Sequence, residues 1–422
     1  MSSHDRSSQS LIPSIQKKLI DLTQRTVARV KGHSAESEQP QQFWDWASHL
    51  FTESLLEAEA EMGHCNVMVI GKTGVGKSTL VNAVFKDELA RTGVGSPVTR
   101  HIRKYCKQDC PITIYDTPGM ELSREQNVGI RLEVAQLIDE LRLRDPEEHI
   151  HIIWYCIHHE ANRLEETERD WLRSLELKDV PVILVLTQYL EGSEESEFLK
   201  YLQHQNLPVR YIVPVLARDK AITRKITIPA HGLEHLIGCT LELLPEVARL
   251  AFIQQQMLRV DLKAQAASKY VSGYVASAAF IGAVPIPFAD APLLVTAQIG
   301  MIANISFIFG YKTSPSFYYS LIGALAGTAI TTVTGRTIVS NLLKFIPGVG
   351  TTMGGILQST TAATLTLSLG LAYIEVMKAI ARAEIKGTPL SESEIKDLFV
   401  QQYRDYAASR RNTLRDEEED WE

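Results

Sequence analysis

Cysteine is scarce in this chain of 422 residues: five are present, Cys65, Cys106, Cys110, Cys156 and Cys239, odd in number and scattered. A disulfide framework is therefore not expected, and a reducing compartment fits better. Basic residues are not in excess either. The 43 Lys and Arg stand against 50 Asp and Glu for a formal net charge of -7, which argues against a nucleic-acid binder held by bulk charge. The first ten residues, MSSHDRSSQS, are polar and lead into no basic-then-apolar run, so no signal peptide is expected. Charge itself is nearly missing from Tyr270 to Ile374, where 105 residues carry only Asp290, Lys312, Arg336 and Lys344. At the chain-wide 22% about 23 would be expected, so this stretch faces a different solvent or partner from the rest.

What is present otherwise is globular composition, 45% hydrophobic, with length for roughly two to three domains of about 150 residues. The pattern along the chain divides it into N-terminal helices and a linker (1–62), an α/β domain (63–250), an apolar helical domain (251–385) and a C-terminal helix with an acidic tail (386–422). Apolar spacing in 11–31 and again from Gln42 to Met62, with Phe43, Trp44, Ala47, Phe51 and Leu55 on one stripe, predicts two amphipathic helices that pack on the following domain, with contact to a partner or a membrane as the alternative. From Cys65 onward short apolar runs alternate with amphipathic segments. Strands are expected at Asn66–Ile70, His101–Tyr105, Ile112–Tyr115, His151–Ile157, Val182–Leu186 and Arg210–Val215. Helices are expected at Lys77–Phe85, around Ile130–Arg142, and at Leu164–Leu175, Glu194–Gln203 and Leu233–Leu250. Such alternation predicts a mostly parallel sheet with helices on both faces, whose ligand binds at the carboxyl ends of the strands.

Immediately after the first expected strand comes Gly71-Lys72-Thr73-Gly74-Val75-Gly76-Lys77-Ser78, followed by Thr79. This is G-x-x-x-x-G-K-[ST] in its strand-loop-helix context, the signature of a P-loop. Its glycines let successive N–H groups converge on phosphate oxygens at a helix N-terminus, Lys77 supplies a point charge to the β- and γ-phosphates, and the Ser78 hydroxyl is placed to ligate Mg²⁺. The third expected strand ends in Asp116-Thr117-Pro118-Gly119, where a carboxylate can hold Mg²⁺ through water and the Gly119 N–H can face a γ-phosphate. His151, His158, His159 and Cys156 are explained by strand alternation rather than by a zinc site, since no second ligand pair at zinc spacing follows.

With these motifs the chain resembles Era-like and septin-like GTPases of the TRAFAC class. The resemblance implies a P-loop GTPase that takes GTP with Mg²⁺ and releases GDP. It also implies a first-switch Thr that completes the Mg²⁺ shell, for which Thr99 is the candidate and Thr92 the alternative. Two departures bear on function. Where the family carries [NT]-K-x-D, whose Asp selects guanine, this chain has Thr187-Gln188-Tyr189-Leu190. Thr187 and Gln188 can still pack against the base, Ala217 can offer its N–H to the base oxygen, and nearby Glu191 or Glu194 is an alternative carboxylate that can substitute for the missing Asp. Met120 stands where a Ras-like enzyme has the Gln that orients water, so no catalytic residue is assigned, and slow turnover or turnover activated by self-association or a partner is expected. Lys72 and Thr73 are either solvated loop residues or contacts across a dimer. The readings left open are a GTPase that controls a helical effector domain, an ATPase or relaxed nucleoside triphosphatase, and a nucleotide-binding scaffold that barely hydrolyses.

In the apolar half, Pro285, Pro287 and the Ile346-Pro347-Gly348-Val349-Gly350 run break the chain into a pair of expected helical hairpins, with Asp290 capping the helix that begins near Ala291. Ala291–Tyr311, Ser316–Gly335 and Thr351–Ile374 are long enough to cross a bilayer, although the last holds eight Ser or Thr. Gly323 and Gly327 form a small-x-x-x-small pair. Pro285-Ile286-Pro287-Phe288-Ala289-Asp290, with Gln298 downstream, resembles the YcjF-related domain of unknown function that follows a GTPase domain in many bacterial proteins. The breaks give an all-α, apolar helical-hairpin domain, and the resemblance is to a family described as membrane-associated, so the expected location is cytoplasmic, with peripheral or integral placement at the inner membrane through 270–374 left open. A soluble bundle, a membrane-inserting bundle and true spans all remain open. Ser391-x-x-Glu394 is a capping box that opens a helix through about Arg410.

Overall fold

The structure, a computed structural model, describes residues 40–85, 94–97, 102–106, 110–117, 124–190, 196–283, 290–311, 316–317, 320–321, 324 and 359–419. Two compact units divide the chain: one is Met62–Arg259, and the other joins Met1–Glu61 to Val260–Glu422. Where the sequence suggests that the early helices pack on the domain after them, the helix α1 (Pro40–Glu61) groups instead with the C-terminal helices. Its stripe was legible, but an apolar stripe does not name the surface it will cover.

In the unit Met62–Arg259, β1 (Cys65–Gly71) is buried at every position, the pattern of a central parallel strand covered on both faces. With β2 (Val94–Pro97), β3 (Arg103–Cys106), β4 (Ile112–Asp116), β5 (Ile152–His158), β6 (Val182–Thr187) and β7 (Tyr211–Val215) it forms a sheet of order β2-β3-β4-β1-β5-β6-β7. All pairings from β4 to β7 are parallel, while β3 pairs antiparallel with both β2 and β4. β2 is absent from the expected strands because its four residues, Val-Gly-Ser-Pro, hold the two residues least suited to a strand interior, and the sheet edge tolerates them.

Helices α2 (Lys77–Val84), α3 (Arg124–Arg142), α4 (Glu166–Glu176), α5 (Glu197–His204), α6 (Leu233–Leu243) and α7 (Glu246–Gln255) follow the strands. Ile153, Tyr155 and Ile157 of β5 pack into one core with Ile130 and Val134 of α3 and Trp171 and Leu172 of α4. Trp154, facing the other way, stacks on Phe85 at 5.9 Å, meets Phe252 edge-on and donates to Thr240 Oγ1 at 3.1 Å. The single helix expected over Leu233–Leu250 is two. Leu244 takes an extended backbone before Pro245, as the residue ahead of a proline is driven to do, and the chain restarts as α7. A short antiparallel pair, β8 (Lys220–Ala221) with β9 (Thr227–Ile228), lies outside the expected strands.

The helical unit contains α1, α8 (Val260–Ala283), α9 (Asp290–Phe309), α10 (Ser359–Ile385) and α11 (Glu392–Glu419). Lys263 near the start of α8 donates to Phe309 O at the end of α9, whereas Tyr274 further along α8 receives Asn304 Nδ2, so the two helices run antiparallel as a hairpin. α10 lies on α8 and α9: Tyr373 OH is 2.7 Å from Ser306 Oγ, and Gly370 faces Val271 and Met301. The Ser391/Glu394 capping box is formed, with Ser391 N donating to Glu394 Oε2 at 2.8 Å, and α11 runs past Arg410 to Glu419. The expected break at Pro347-Gly348, the Gly323/Gly327 pair and the side chain of Asp290 lie outside the described residues, though α9 does begin at Asp290.

Candidate functional site

Strand order reverses at β1, with β4 on one side and β5 on the other, so the crevice beyond the carboxyl end of β1 is a topological switch point. The loop Gly71–Ser78 occupies it. Gly71 lies so close to β5 that a Cβ there would come 2.5 Å from Cys156 O, a distance no side chain tolerates. Gly76, at the N-cap of α2, has φ 102°, in the left-handed region that favours glycine. Lys77 Nζ donates to Gly71 O at 2.8 Å and Lys72 O at 3.1 Å. Two of its three donors thus fix the ammonium under the loop and leave the third for an anion.

Asp116 closes β4 opposite Val69. Its Oδ1 is buried with no hydrogen-bond partner among the described residues. Burial pushes this carboxyl up from the ordinary range, while the charges of Lys77 and Arg103 pull it back. A buried acceptor without a donor suits a hydrated divalent cation, and the exposed Ser78 contributes a hydroxyl on the first turn of α2. The residues present therefore fit Mg²⁺, a hard ion that keeps waters and takes few protein oxygens. The histidines near β5 serve the fold: His151 Nδ1 accepts from Asn66 N, and His158 Nδ1 accepts from Glu160 N.

The side of the loop toward β6 is built by the segment that replaces the expected base motif. Thr187 Oγ1 lies 2.7 Å from Val75 O and 3.0 Å from Ile157 O, and Gln188 Nε2 reaches Gly74 O at 3.4 Å from a backbone at φ 54°. Both side chains brace the phosphate loop. A cavity of about 500 Å³ opens beside them, lined by Gly74, Gly76, Thr79, Thr187, Gln188 and Leu216 with Ala217, Arg218, Asp219, Lys220 and Ala221. That volume falls in the range of small-molecule sites. Leu190 is half-buried and carries no polar group.

Some expected site residues are brought together here, namely Gly71 to Thr79, Asp116, Thr187, Gln188 and Ala217. Thr92, Thr99, Gly119, Met120, Glu191 and Glu194 lie outside the described residues. Lys72 is not a solvated loop residue: its Nζ pairs with Glu165 Oε1 at 2.7 Å and lies 3.6 Å from Glu168 Oε1, at the N-terminus of α4. Lys72 holds the Glu165 carboxyl below its usual range, whereas burial raises that of Glu168. Sequence reasoning missed this anchor, and also Asp219, which stands only two residues beyond Ala217 and would have been found by extending that loop.

Residues 66–188 match the family model described as 50S ribosome-binding GTPase, and residues 248–404 match a domain of unknown function, DUF697. The chain thus carries an Era-like, septin-like P-loop GTPase domain followed by a domain of that second, YcjF-related kind. Magnetosome membrane protein 22 of Magnetospirillum gryphiswaldense is 29% identical over 109 residues, 26% of this chain and 56% of that protein. GTPase Era of Pseudomonas fluorescens is 29% identical over 186 residues, 43% of this chain and 55% of that protein. The chain spans about half the length of these curated relatives. Among solved structures, Aquifex aeolicus Era bound to GDP and AlF4⁻ is similar at 19% identity and TM-score 0.31, over 54% of this chain and 70% of that one.

Proposed function

We propose that the unit Met62–Arg259 binds a guanine nucleoside triphosphate with Mg²⁺ and hydrolyses it slowly to the diphosphate, and that its switches act on the helical unit. The observation that carries this reading is the braced loop: Lys77 fixed by two loop carbonyls, with Thr187 and Gln188 holding the same backbone beside a nucleotide-sized cavity. In this reading the loop N–H groups and Lys77 bind the phosphates, and Asp116, Ser78 and Thr99 would hold Mg²⁺, which when bound would neutralise phosphate charge. Thr187, Gln188 and Ala217 face the base. Met120 cannot orient water, which supports slow intrinsic turnover or activation by a second copy or partner. Support for membrane contact comes from the charge-poor stretch 270–374 and from the relative named as a magnetosome membrane protein. Leu190 favours one alternative, a nucleoside triphosphatase with relaxed base choice.

The test is calorimetric titration of the full chain with GTP, GDP and ATP in Mg²⁺ buffer. GTP and GDP are expected to bind and ATP to bind at least about 10-fold more weakly, a difference of about 1.4 kcal/mol. Lys77→Ala is expected to remove tight triphosphate binding, because phosphate charge is then met only by backbone dipoles. Unchanged triphosphate affinity in Lys77→Ala would refute the phosphate site, and equal affinity for ATP would establish the relaxed reading.

A further inference from the structure

The base motif of this chain has lost its carboxylate at Leu190, yet the cavity beside the phosphate loop has one. Among the described residues that line it, Asp219 is the sole carboxylate. Asp219 is exposed but tethered. Its Oδ1 accepts from Ala230 N at 2.8 Å, and on either side the chain is pinned by antiparallel pairing, Leu216 with His231 and Lys220 with Ile228. The loop after β7 therefore leaves the sheet, turns through Asp219 and is tied back by the returning strand. An ionised carboxylate has about four acceptor positions, and the bond to Ala230 N uses one of them.

Guanine presents two adjacent donors on one edge, the ring N1–H and the 2-amino group, which one carboxylate can accept together. Adenine presents an acceptor at N1 and only a C–H at C2, its amino group lying on the other side at C6, so on this edge the same carboxylate faces a lone pair and rejects it. Xanthine replaces the 2-amino group with an oxygen and is rejected for the same reason. We propose that Asp219 is the specificity-determining residue of the nucleotide site, reading the N1–H and 2-amino edge of guanine from the loop after β7 in place of the carboxylate missing at Leu190. This rests on the reading of the site as a nucleotide site given above. The cost of Leu190 is thereby met from a different strand end, while Thr187 and Gln188 keep the task of bracing the phosphate loop.

Asp219→Asn tests this in the full-length protein. Asparagine keeps a carbonyl oxygen for Ala230 N and turns the other oxygen into an N–H donor, which suits the 2-oxo group of xanthine and opposes the 2-amino group of guanine. Calorimetric titration with GTP, XTP and ATP should show GTP weakened about 10- to 100-fold and XTP tightened by a similar factor, the range expected for a hydrogen bond to a charged group. Asp219→Ala should collapse the preference for GTP over ATP, and Glu191→Gln with Glu194→Gln should leave it intact. Thermal melting of each variant separates loss of fold from loss of recognition. The proposal is overturned if folded Asp219→Asn binds GTP as tightly as the parent and gains nothing for XTP, or if the Glu191 and Glu194 changes abolish the preference instead. A parent protein that binds no nucleotide, or binds ATP as well as GTP, overturns the underlying functional reading rather than the role of Asp219 alone.

Discussion

At the scale of single residues, His64 shows how burial sets a pH dependence. Its Nε2 lies 2.7 Å from Thr113 Oγ1, and burial first, then the positive charges of Lys104 and His151, push its pKa down to about 4. In the unfolded chain it titrates near 6.5, so between those values the unfolded state binds the proton and the folded state does not. Stability held above pH 6.5 is therefore lost as pH falls toward 4. From pH 7 to pH 5 this costs about 2 kcal/mol, and His64→Gln, which cannot titrate, should lose correspondingly less stability over that interval. Denaturant melts of both proteins at the two pH values check it, and parallel losses would refute the assignment. No residue pattern advertised this, because His64 is desolvated by segments distant in the chain. Lys77 and Ser78, by contrast, were legible because a phosphate-binding loop needs its residues contiguous, so spacing alone names them.

Among elements, the close approach of α10 to α8 depends on Gly370. A Cβ there would lie 2.8 Å from both Val271 Cγ1 and Cγ2 and 2.9 Å from Met301 Sδ. Gly370→Ala gains helix propensity of about 1 kcal/mol but overpacks a contact, at a cost of about 1–3 kcal/mol, and a net loss near 1 kcal/mol is expected. In a Val271→Ala background the contacts to Cγ1 and Cγ2 are gone and only the end of the flexible Met301 side chain must shift, so the same change should cost less or be neutral, a coupling that a double-mutant cycle reads directly. The helices themselves were readable, since Pro285 and Pro287 separate α8 from α9 and the Ser391/Glu394 pair marks the start of α11. Their partners were not. α1 was expected on the α/β side because a 3.6-residue stripe reports that a face is buried and says nothing of what covers it. For the same reason Leu233–Leu250 read as one helix: the apolar period runs on through Pro245, and only the backbone shows the break.

At the scale of the whole molecule, the charge-poor stretch 270–374 must meet either protein or lipid. Among the described residues one helix, Ala362–Ile385, is long and apolar enough to cross a membrane, and 61% of its apolar window is buried inside the protein. A helix so covered serves its bundle first, so association without spanning is expected: the full chain should float with liposomes and be released by alkaline carbonate. Failure to float would leave a bundle with no lipid contact, and resistance to carbonate would mean that the segment spans. The helical unit has a further property, because it is assembled from chain segments that precede and follow the α/β unit in the sequence. Ala47, Leu50 and Phe51 of α1 are buried, and α1 lies against α9, with Ser54 beside Gly300. During synthesis α1 emerges about 200 residues before α8 begins, which at 5–20 residues per second is roughly 10–40 s. For that interval its apolar face has none of its final neighbours, while the α/β unit can complete its sheet. The order of translation thus favours a nascent chain whose nucleotide-binding part folds first, with α1 held waiting until the last helices arrive.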